Sequence, residues 1–122
     1  MTEEVYEEVK KVVSAYIHSV KTLDSQLMVS VAHKDGRMFI GCRDTSKNLH
    51  DHWGEEDERF SPEKKAEFAS QMRCELLGLM VEGTIAFAKI RLNSYIDYHN
   101  LVKTSEGWKF VDKVSHRIEE IE

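Results

Sequence analysis

The feature that most constrains the fold is a series of strand-forming segments that fills the second half of the chain. Branched and aromatic side chains are frequent in these segments, and such residues favour β-strands. Short polar turns separate the segments at Glu82-Gly83, Asn93-Ser94 and Glu106-Gly107. Because short turns join strands that run in opposite directions, we predict an antiparallel meander. Its strands cover residues 73–82, 84–92, 95–102 and 108–118.

The first half of the chain is predicted to be mainly helical. Between residues 3 and 20, apolar side chains recur at steps of three and four, which places them on one face of a helix. Asp24 or Ser25 can cap a second helix over 23–32, and Ser61-Pro62 predicts the start of a third over 62–71. Helices followed by strands indicate an α+β domain with the helices across one face of the sheet.

A turn, a short strand and a long loop are predicted between the second and third helices. Lys34-Asp35-Gly36-Arg37 predicts a tight turn, because Asp-Gly tolerates a positive φ. Residues 38–42 follow as a short strand. Residues 43–60 are polar and lack periodicity, which predicts a surface loop that is either a lid over a binding site or an ordinary connection.

Length, charge and cysteine spacing exclude several classes of partner. A chain of 122 residues fits a single domain over 1–122, and its net charge of −5 gives no surface for nucleic acid or an anionic membrane. The acidic start lacks the pattern of a signal peptide, so we expect a cytoplasmic protein. Cys42 and Cys74 form no CxxC pair, and we expect reduced thiols, with a disulfide or a reactive thiol as the alternative. No nucleotide or phosphate-loop motif is present, so we expect no cofactor.

Three segments of the second half resemble a known family. They are Val81-Glu82-Gly83-Thr84-Ile85-Ala86-Phe87-Ala88-Lys89-Ile90, Ile96-Asp97-Tyr98-His99-Asn100-Leu101-Val102-Lys103 and Gly107-Trp108-Lys109-Phe110-Val111-Asp112-Lys113-Val114. The chain resembles the putative lumazine-binding family of the nuclear transport factor 2-like superfamily, which also includes ketosteroid isomerase, scytalone dehydratase and polyketide cyclases. The resemblance implies a cone-shaped, cystatin-like α+β fold, with N-terminal helices on a curved, mainly antiparallel sheet and a hydrophobic pocket between them. It also places His33 at the family's histidine after the second helix.

We expect the pocket to bind a small organic molecule, and two other functions are alternatives. The first alternative is a cofactor-free lyase or isomerase, of the ketosteroid isomerase or polyketide cyclase type, in which Asp97 orients His33 as the general base. In the purely structural interpretation, which needs no substrate, His33 donates to helix carbonyls and Asp97 pairs with backbone N–H groups or a lysine. The second alternative is a dimeric protein-interaction module without a ligand.

Five side chains are candidates for ligand contact. Asp97 and His99 share one face of their strand, whereas Tyr98 and Asn100 share the other, and the sequence leaves open which face lines the pocket. We predict contact by Tyr16, Trp53, Asp97, His99 and Asp112. The alternatives are a core role for Tyr16, a loop anchor for Trp53 and a cation partner for Asp112.

Two further patterns concern metals and assembly. His50-Asp51-His52 places histidines at alternate positions, but this is not a structural zinc spacing, and we predict a solvated loop without metal. Several strands carry apolar residues on both faces, so the outer sheet face needs cover as well as the inner one. We therefore expect a homodimer through the outer face.

Overall fold

Four helices from the first two thirds of the described chain pack on one face of a six-stranded sheet. The structure, a computed structural model, describes residues 3–40, 46–55 and 61–118. The helices in these ranges are α1 (Glu3–Thr22), α2 (Ser25–Ser30), α3 (Leu49–Gly54) and α4 (Pro62–Gln71). The strands are β1 (Ala32–Ile40), β2 (Ser46–Asn48), β3 (Cys74–Glu82), β4 (Ile85–Leu92), β5 (Tyr95–Thr104) and β6 (Gly107–Arg117). No helix of the described ranges is long and apolar enough to cross a membrane.

The sheet has the strand order β2-β1-β6-β5-β4-β3. The predicted meander of β3 to β6 is present, and each of its neighbouring pairs is antiparallel. β1 pairs with β6 in parallel, and β2 pairs with β1 antiparallel at the edge of the sheet. The predicted α+β class, with a curved and mainly antiparallel sheet, is confirmed.

The predicted helix starts are correct, whereas one predicted end is not. Asp24 caps α2 by accepting a hydrogen bond from the Leu27 N–H at 3.1 Å, and Ser61 caps α4 in the same way. We predicted that α2 would extend to residue 32, but it ends at Ser30. The Val31 carbonyl instead accepts a hydrogen bond from the Phe110 N–H at 2.8 Å, which draws the chain into the sheet.

The predicted turn at 34–37 is wrong, because β1 runs through it. Gly36 lies within this strand and has no positive φ, unlike Gly83 and Gly107. A Cβ at Gly36 would lie 3.1 Å from the His33 carbonyl oxygen and 3.2 Å from the Leu49 Cβ atom. Glycine is therefore required here for the close approach of β1 to α3 rather than for a turn.

The predicted loop over 43–60 contains regular structure in its described part. Asn48 ends β2 and caps α3 by accepting a hydrogen bond from the Asp51 N–H at 2.9 Å. Its side-chain amide also donates to the Lys34 carbonyl at 2.9 Å, which ties α3 to β1. Trp53 is buried on α3 and joins the core. Residues 41–45, with Cys42, and 56–60 lie outside the described residues.

The close contact at Gly36 gives a prediction about stability. Gly36→Ala is expected to lower the free energy of unfolding by about 1–3 kcal/mol, since the added methyl group must displace backbone and Leu49. Gly78→Ala is the matched control, because its nearest neighbouring atom would lie 3.9 Å away. Urea unfolding of both variants measures the difference. Equal effects of the two substitutions would contradict this account.

Candidate functional site

A cavity of about 300 Å³ lies between the helices and the inner face of the sheet. We call it the central cavity. All four helices and the sheet contribute residues to its wall. Among these residues are Tyr16 of α1, Met28 of α2, Trp53 of α3, Phe68 of α4 and Lys113 of β6. The half-exposed Phe68 places its rim at the surface.

A cluster of aromatic rings packs beside the central cavity, and two of them, Tyr16 and Trp53, line it. The rings of Tyr16 and Trp53 stack with centroids 4.7 Å apart. Phe110 lies 5.0 Å from Tyr16, and His99 meets the Phe110 ring edge-on at 5.0 Å. Because α1 and α3 supply rings that pack against β5 and β6, this wall is held from both layers of the fold.

The inner face of β5 brings polar groups to this aromatic wall. Asp97 and His99 are both 0% exposed, whereas Tyr98 and Asn100 point outward, which answers the question that the sequence left open. The Lys113 ammonium lies 3.6 Å from Oδ2 of Asp97. Within the described part of the chain, neither Asp97 oxygen nor Nε2 of His99 has a hydrogen-bond partner. These three acceptors are buried, and the residues that carry them do not line the central cavity.

The protonation state of His99 follows from its surroundings. Nδ1 lies 3.2 Å from the carbonyl oxygen of Asp112, and a carbonyl only accepts, so Nδ1 carries the hydrogen and Nε2 is an acceptor. Burial, reinforced by the charge of Lys113, lowers the pKa of His99 to about 3, although the Asp112 hydrogen bond acts in the opposite direction. His99 is therefore neutral at physiological pH.

A β-bulge decides which residue of β6 faces inward. Unbroken alternation along β6 would put Asp112 on the same face as Trp108 and Phe110, but the register of β6 against β5 shifts between Tyr98 and Leu101. The Asp112 carboxylate points away and accepts hydrogen bonds from N and Nδ2 of Asn100, each at 2.8 Å. The extra residue reverses the alternation, so that Lys113 faces inward.

Sequence reasoning missed Lys113 because it assumed unbroken alternation along β6. The same assumption placed Val114 with the core residues, whereas Val114 is 46% exposed. The signal that could have identified Lys113 is Asp97, because a carboxylate on an inward strand face needs a cation nearby. The purely structural interpretation of Asp97, a pairing with a lysine, agrees with the structure.

The structure does not bring His33 and Asp97 together. Ala32, which precedes His33 on β1, pairs with Phe110 of β6, and Asp97 of β5 pairs with Ser115 of β6. These β6 positions are five residues, or roughly 16 Å, apart along the strand. His33 lies outside the central cavity, where its Nδ1 accepts a hydrogen bond from the Asp35 N–H at 3.0 Å. A general base at His33 oriented by Asp97 is therefore not formed.

The histidines of the 50–52 segment and the described cysteine have separate environments. His50 and His52 lie on α3 rather than in a loop, and no three side chains of the described ranges gather as metal ligands. Cys74 is a buried free thiol, and burial raises its pKa to about 11. The thiol of Cys74 therefore stays protonated and unreactive at physiological pH.

Neutral, buried His99 predicts an acid-dependent loss of stability. The unfolded imidazole binds a proton near its ordinary pKa of 6.5, whereas the native imidazole binds one near pH 3. Between these values the unfolded state holds more protons. The free energy of unfolding therefore falls as pH decreases through this range, by up to about 1.4 kcal/mol per pH unit. Above the unfolded pKa, His99 adds no pH dependence.

Urea unfolding of the wild type and of His99→Gln, from about pH 8 to about pH 4, measures this contribution. Carboxylates titrate in both proteins, so the difference between the two curves isolates His99. We expect the wild type to lose more stability than the variant as the pH decreases. Two parallel curves would show that native His99 takes up its proton at an ordinary pH.

Comparisons with known proteins address the family and the fold. A profile of the family described as Putative lumazine-binding matches residues 4–116. A search of curated proteins finds no match. Among solved structures, a nuclear transport factor 2-like (NTF2-like) protein of unknown function from Shewanella baltica is 23% identical with a TM-score of 0.76, and the alignment covers 98% of this chain and 99% of that chain.

Two further structures have the same fold. An NTF2-like protein of unknown function from Silicibacter pomeroyi is 16% identical with a TM-score of 0.73, over 98% of this chain and 100% of that chain. An NTF2-like protein with a cystatin-like fold from Novosphingobium aromaticivorans is 15% identical with a TM-score of 0.71, over 96% of this chain and 84% of that chain. The fold and the family that the sequence suggested are confirmed: the chain belongs to the Putative lumazine-binding family and has the NTF2-like, cystatin-like fold.

Proposed function

We propose that the protein binds a small planar molecule in the central cavity without transforming it. The observation that carries the proposal is the position of Lys113, a cation at the end of a cavity whose wall is aromatic. A flat ring can pack against Tyr16 and Trp53 while an oxygen of the ligand accepts a hydrogen bond from Lys113. The volume of about 300 Å³ suits a ligand of one or two fused rings.

The buried acceptors refine the chemistry of the ligand. Asp97 and His99 are fully buried and do not line the central cavity, whereas Lys113 does, so a ligand meets the ammonium first. A ligand N–H group that reaches this end of the cavity would satisfy an acceptor that has no partner among the described residues. Lumazine, which the family description names, is a flat bicyclic ring with carbonyl oxygens and N–H groups and meets both requirements. Tyr16, Trp53, Asp97 and His99 therefore remain in the proposed ligand site, whereas Asp112 acts from outside it.

Binding is favoured over lyase or isomerase chemistry by the state of the histidines. His99 has a pKa of about 3, so it is too weak a base to abstract a proton efficiently at neutral pH. His33, the base that the sequence suggested, lies outside the central cavity. A proton-transfer mechanism would have to use Asp97. This carboxylate is paired with Lys113, and a ligand in the central cavity could reach it only past Lys113.

Tryptophan fluorescence can test ligand binding, because Trp53 lines the central cavity and Trp108 does not. We expect lumazine, and other planar ring carbonyl compounds, to quench the emission of Trp108→Phe, whose remaining tryptophan is Trp53. The quenching should be lost in Trp53→Phe. Lys113→Met should weaken binding at least about tenfold, which corresponds to about 1.4 kcal/mol for the lost hydrogen bond.

Lys89→Met is the matched control, because Lys89 faces outward over Tyr98. Lys113→Met leaves Asp97 buried without its cation, so the double variant Asp97→Asn/Lys113→Met preserves a neutral core if the single variant unfolds. Unchanged affinity in a folded Lys113 variant would contradict the proposed site. Equal quenching in Trp108→Phe and Trp53→Phe would show that the ligand binds elsewhere.

We further infer that a second copy of the chain covers the outer face of the sheet. Residues of four neighbouring strands form a continuous row there, since the pairings join Phe39 to Val114, Val114 to Tyr98 and Tyr98 to Lys89. Met80, which is 69% exposed, pairs with Phe87 beside this row. Such an apolar surface on a sheet is typical of a face that packs against another protein, and an isologous pair matches the patch to itself.

Sedimentation equilibrium tests the dimer. Tyr98→Glu places a charge at the centre of the row and is expected to convert a dimer into monomers, because the charge would be buried without a partner. Lys10→Glu on the exposed side of α1 is the control and should leave the dimer intact. A wild-type monomer at concentrations of about 100 μM would contradict the inference, since an interface of standard size binds more tightly than this.

A further inference from the structure

We propose a second ligand site, for the phosphate group of a small molecule, in a basic recess at the far end of the sheet. The recess has a volume of about 520 Å³ and lies between the end of α2, the start of β1, the start of α3 and the β5–β6 turn. Its wall includes His33, Lys34, His50, Ser105, Glu106 and Lys109. None of these residues lines the central cavity, so the proposal is independent of the proposed function.

The recess concentrates positive charge in a protein that is acidic as a whole. Lys34 and Lys109 line it from β1 and β6, against one carboxylate, that of Glu106. His33 and His50 add two imidazoles from β1 and α3. The net charge of the chain is −5, so an excess of cations at one place departs from the general composition. An anion is the ligand class that such a lining attracts.

Contacts with the backbone hold several donors in place. The Lys109 ammonium donates to the Ser30 carbonyl at 2.5 Å, which fixes it beside the end of α2 and leaves two of its hydrogens for a ligand. His33 accepts the Asp35 N–H through Nδ1, so its Nε2 carries the hydrogen and can donate even in the neutral state. Asn48 binds the Lys34 carbonyl and keeps β1 against α3. A ligand would therefore meet a largely preformed set of donors.

The negative groups near the recess are few and lie at its edge. Glu106 is exposed in the turn, where its N–H donates to Oγ1 of Thr104. Asp51 is exposed, and its carboxylate lies 3.9 Å from Nδ1 of His50. The Ser30 carbonyl, at the end of α2, is already bound by Lys109. Among the lining residues, the ammonium groups of Lys34 and Lys109 therefore face one carboxylate, that of Glu106. Asp51 is not part of the lining and lies beside His50.

The shape of the recess favours a phosphate monoester over a free ion. Donors approach from β1, α3 and β6, and a phosphate group offers three terminal oxygens to different sides, whereas a carboxylate offers two in one plane. A volume of about 520 Å³ exceeds that of the phosphate group and leaves room for an organic remainder. Inorganic phosphate and phenyl phosphate share the anionic chemistry and differ in that remainder.

Heteronuclear NMR titration of the full chain with phenyl phosphate and with inorganic phosphate tests the proposal, with sodium chloride used to hold ionic strength constant. We expect chemical-shift changes at the backbone amides of His33, Lys34, Ser105, Glu106 and Lys109, and none at Trp53 or Lys113. Phenyl phosphate should bind more tightly than inorganic phosphate. The double variant Lys34→Gln/Lys109→Gln should weaken binding at least about tenfold.

Lys10→Gln/Lys11→Gln is the matched control, because it removes the same charge from the exposed face of α1. It should leave the affinity within about twofold of the wild type. Lys34→Gln alone keeps the Lys109 contact with Ser30 and gives a folded variant if the double variant is unstable. Equal weakening in the two double variants, shifts spread over the whole surface, or no shifts with either phosphate would overturn the proposal. Tighter binding of inorganic phosphate would overturn the assignment to a phosphate ester.

Discussion

The polar cluster on the inner face of the sheet is the constraint on which the site depends. Asp97 is buried in an otherwise apolar and aromatic environment, and a carboxylate removed from water costs several kcal/mol unless a cation compensates it. Lys113 is the cation that reaches Asp97. The charge of Lys113 in turn helps to keep His99 neutral, so an uncharged imidazole can pack edge-on against the aromatic wall. Removing one member changes the electrostatics of the other two.

Strand β6 connects this cluster to the rest of the molecule. It pairs with β5 on one side and with β1 on the other, so the N-terminal half reaches the meander through it. Its bulge turns Lys113 inward, and Asp112 anchors the bulge through both Asn100 and His99. Asp112 therefore fixes the tautomer of His99 with its carbonyl while its carboxylate faces outward. A residue outside the cavity thus determines which nitrogen of His99 remains an acceptor.

The parts of the fold that could be predicted depend on local patterns. Helix α1 and the four-strand meander follow from apolar periodicity and from turns at Gly83, Asn93 and Gly107, all of which are encoded by neighbouring residues. Residues 34–37 of β1 were mistaken for a turn, and the register of β1 against β6 is irregular between Ala32 and Arg37. The strand on either side of this irregularity pairs in parallel with β6, more than 70 residues away, which local sequence does not reveal. Helix α3 is six residues long and depends on burial of Trp53. Periodicity could place Tyr16 on the apolar face of α1 and could put Asp97 and His99 on one shared strand face, but it could not say that this face points inward. It could not place Lys113, since one extra residue in β6 reverses the alternation.

The two proposed sites differ in the solvation of their charges, and this difference assigns them different ligands. In the central cavity, Lys113 is largely buried and already neutralised by Asp97, so a charged ligand would lose its hydration and find no uncompensated cation. A neutral planar ring loses little by entering, because its hydrogen-bonding groups meet Lys113. In the basic recess, Lys34 is exposed and both lysines lack a buried carboxylate partner among the described residues, so an anion keeps part of its hydration there. Burial, rather than the presence of lysine alone, thus separates a site for neutral rings from a site for anions.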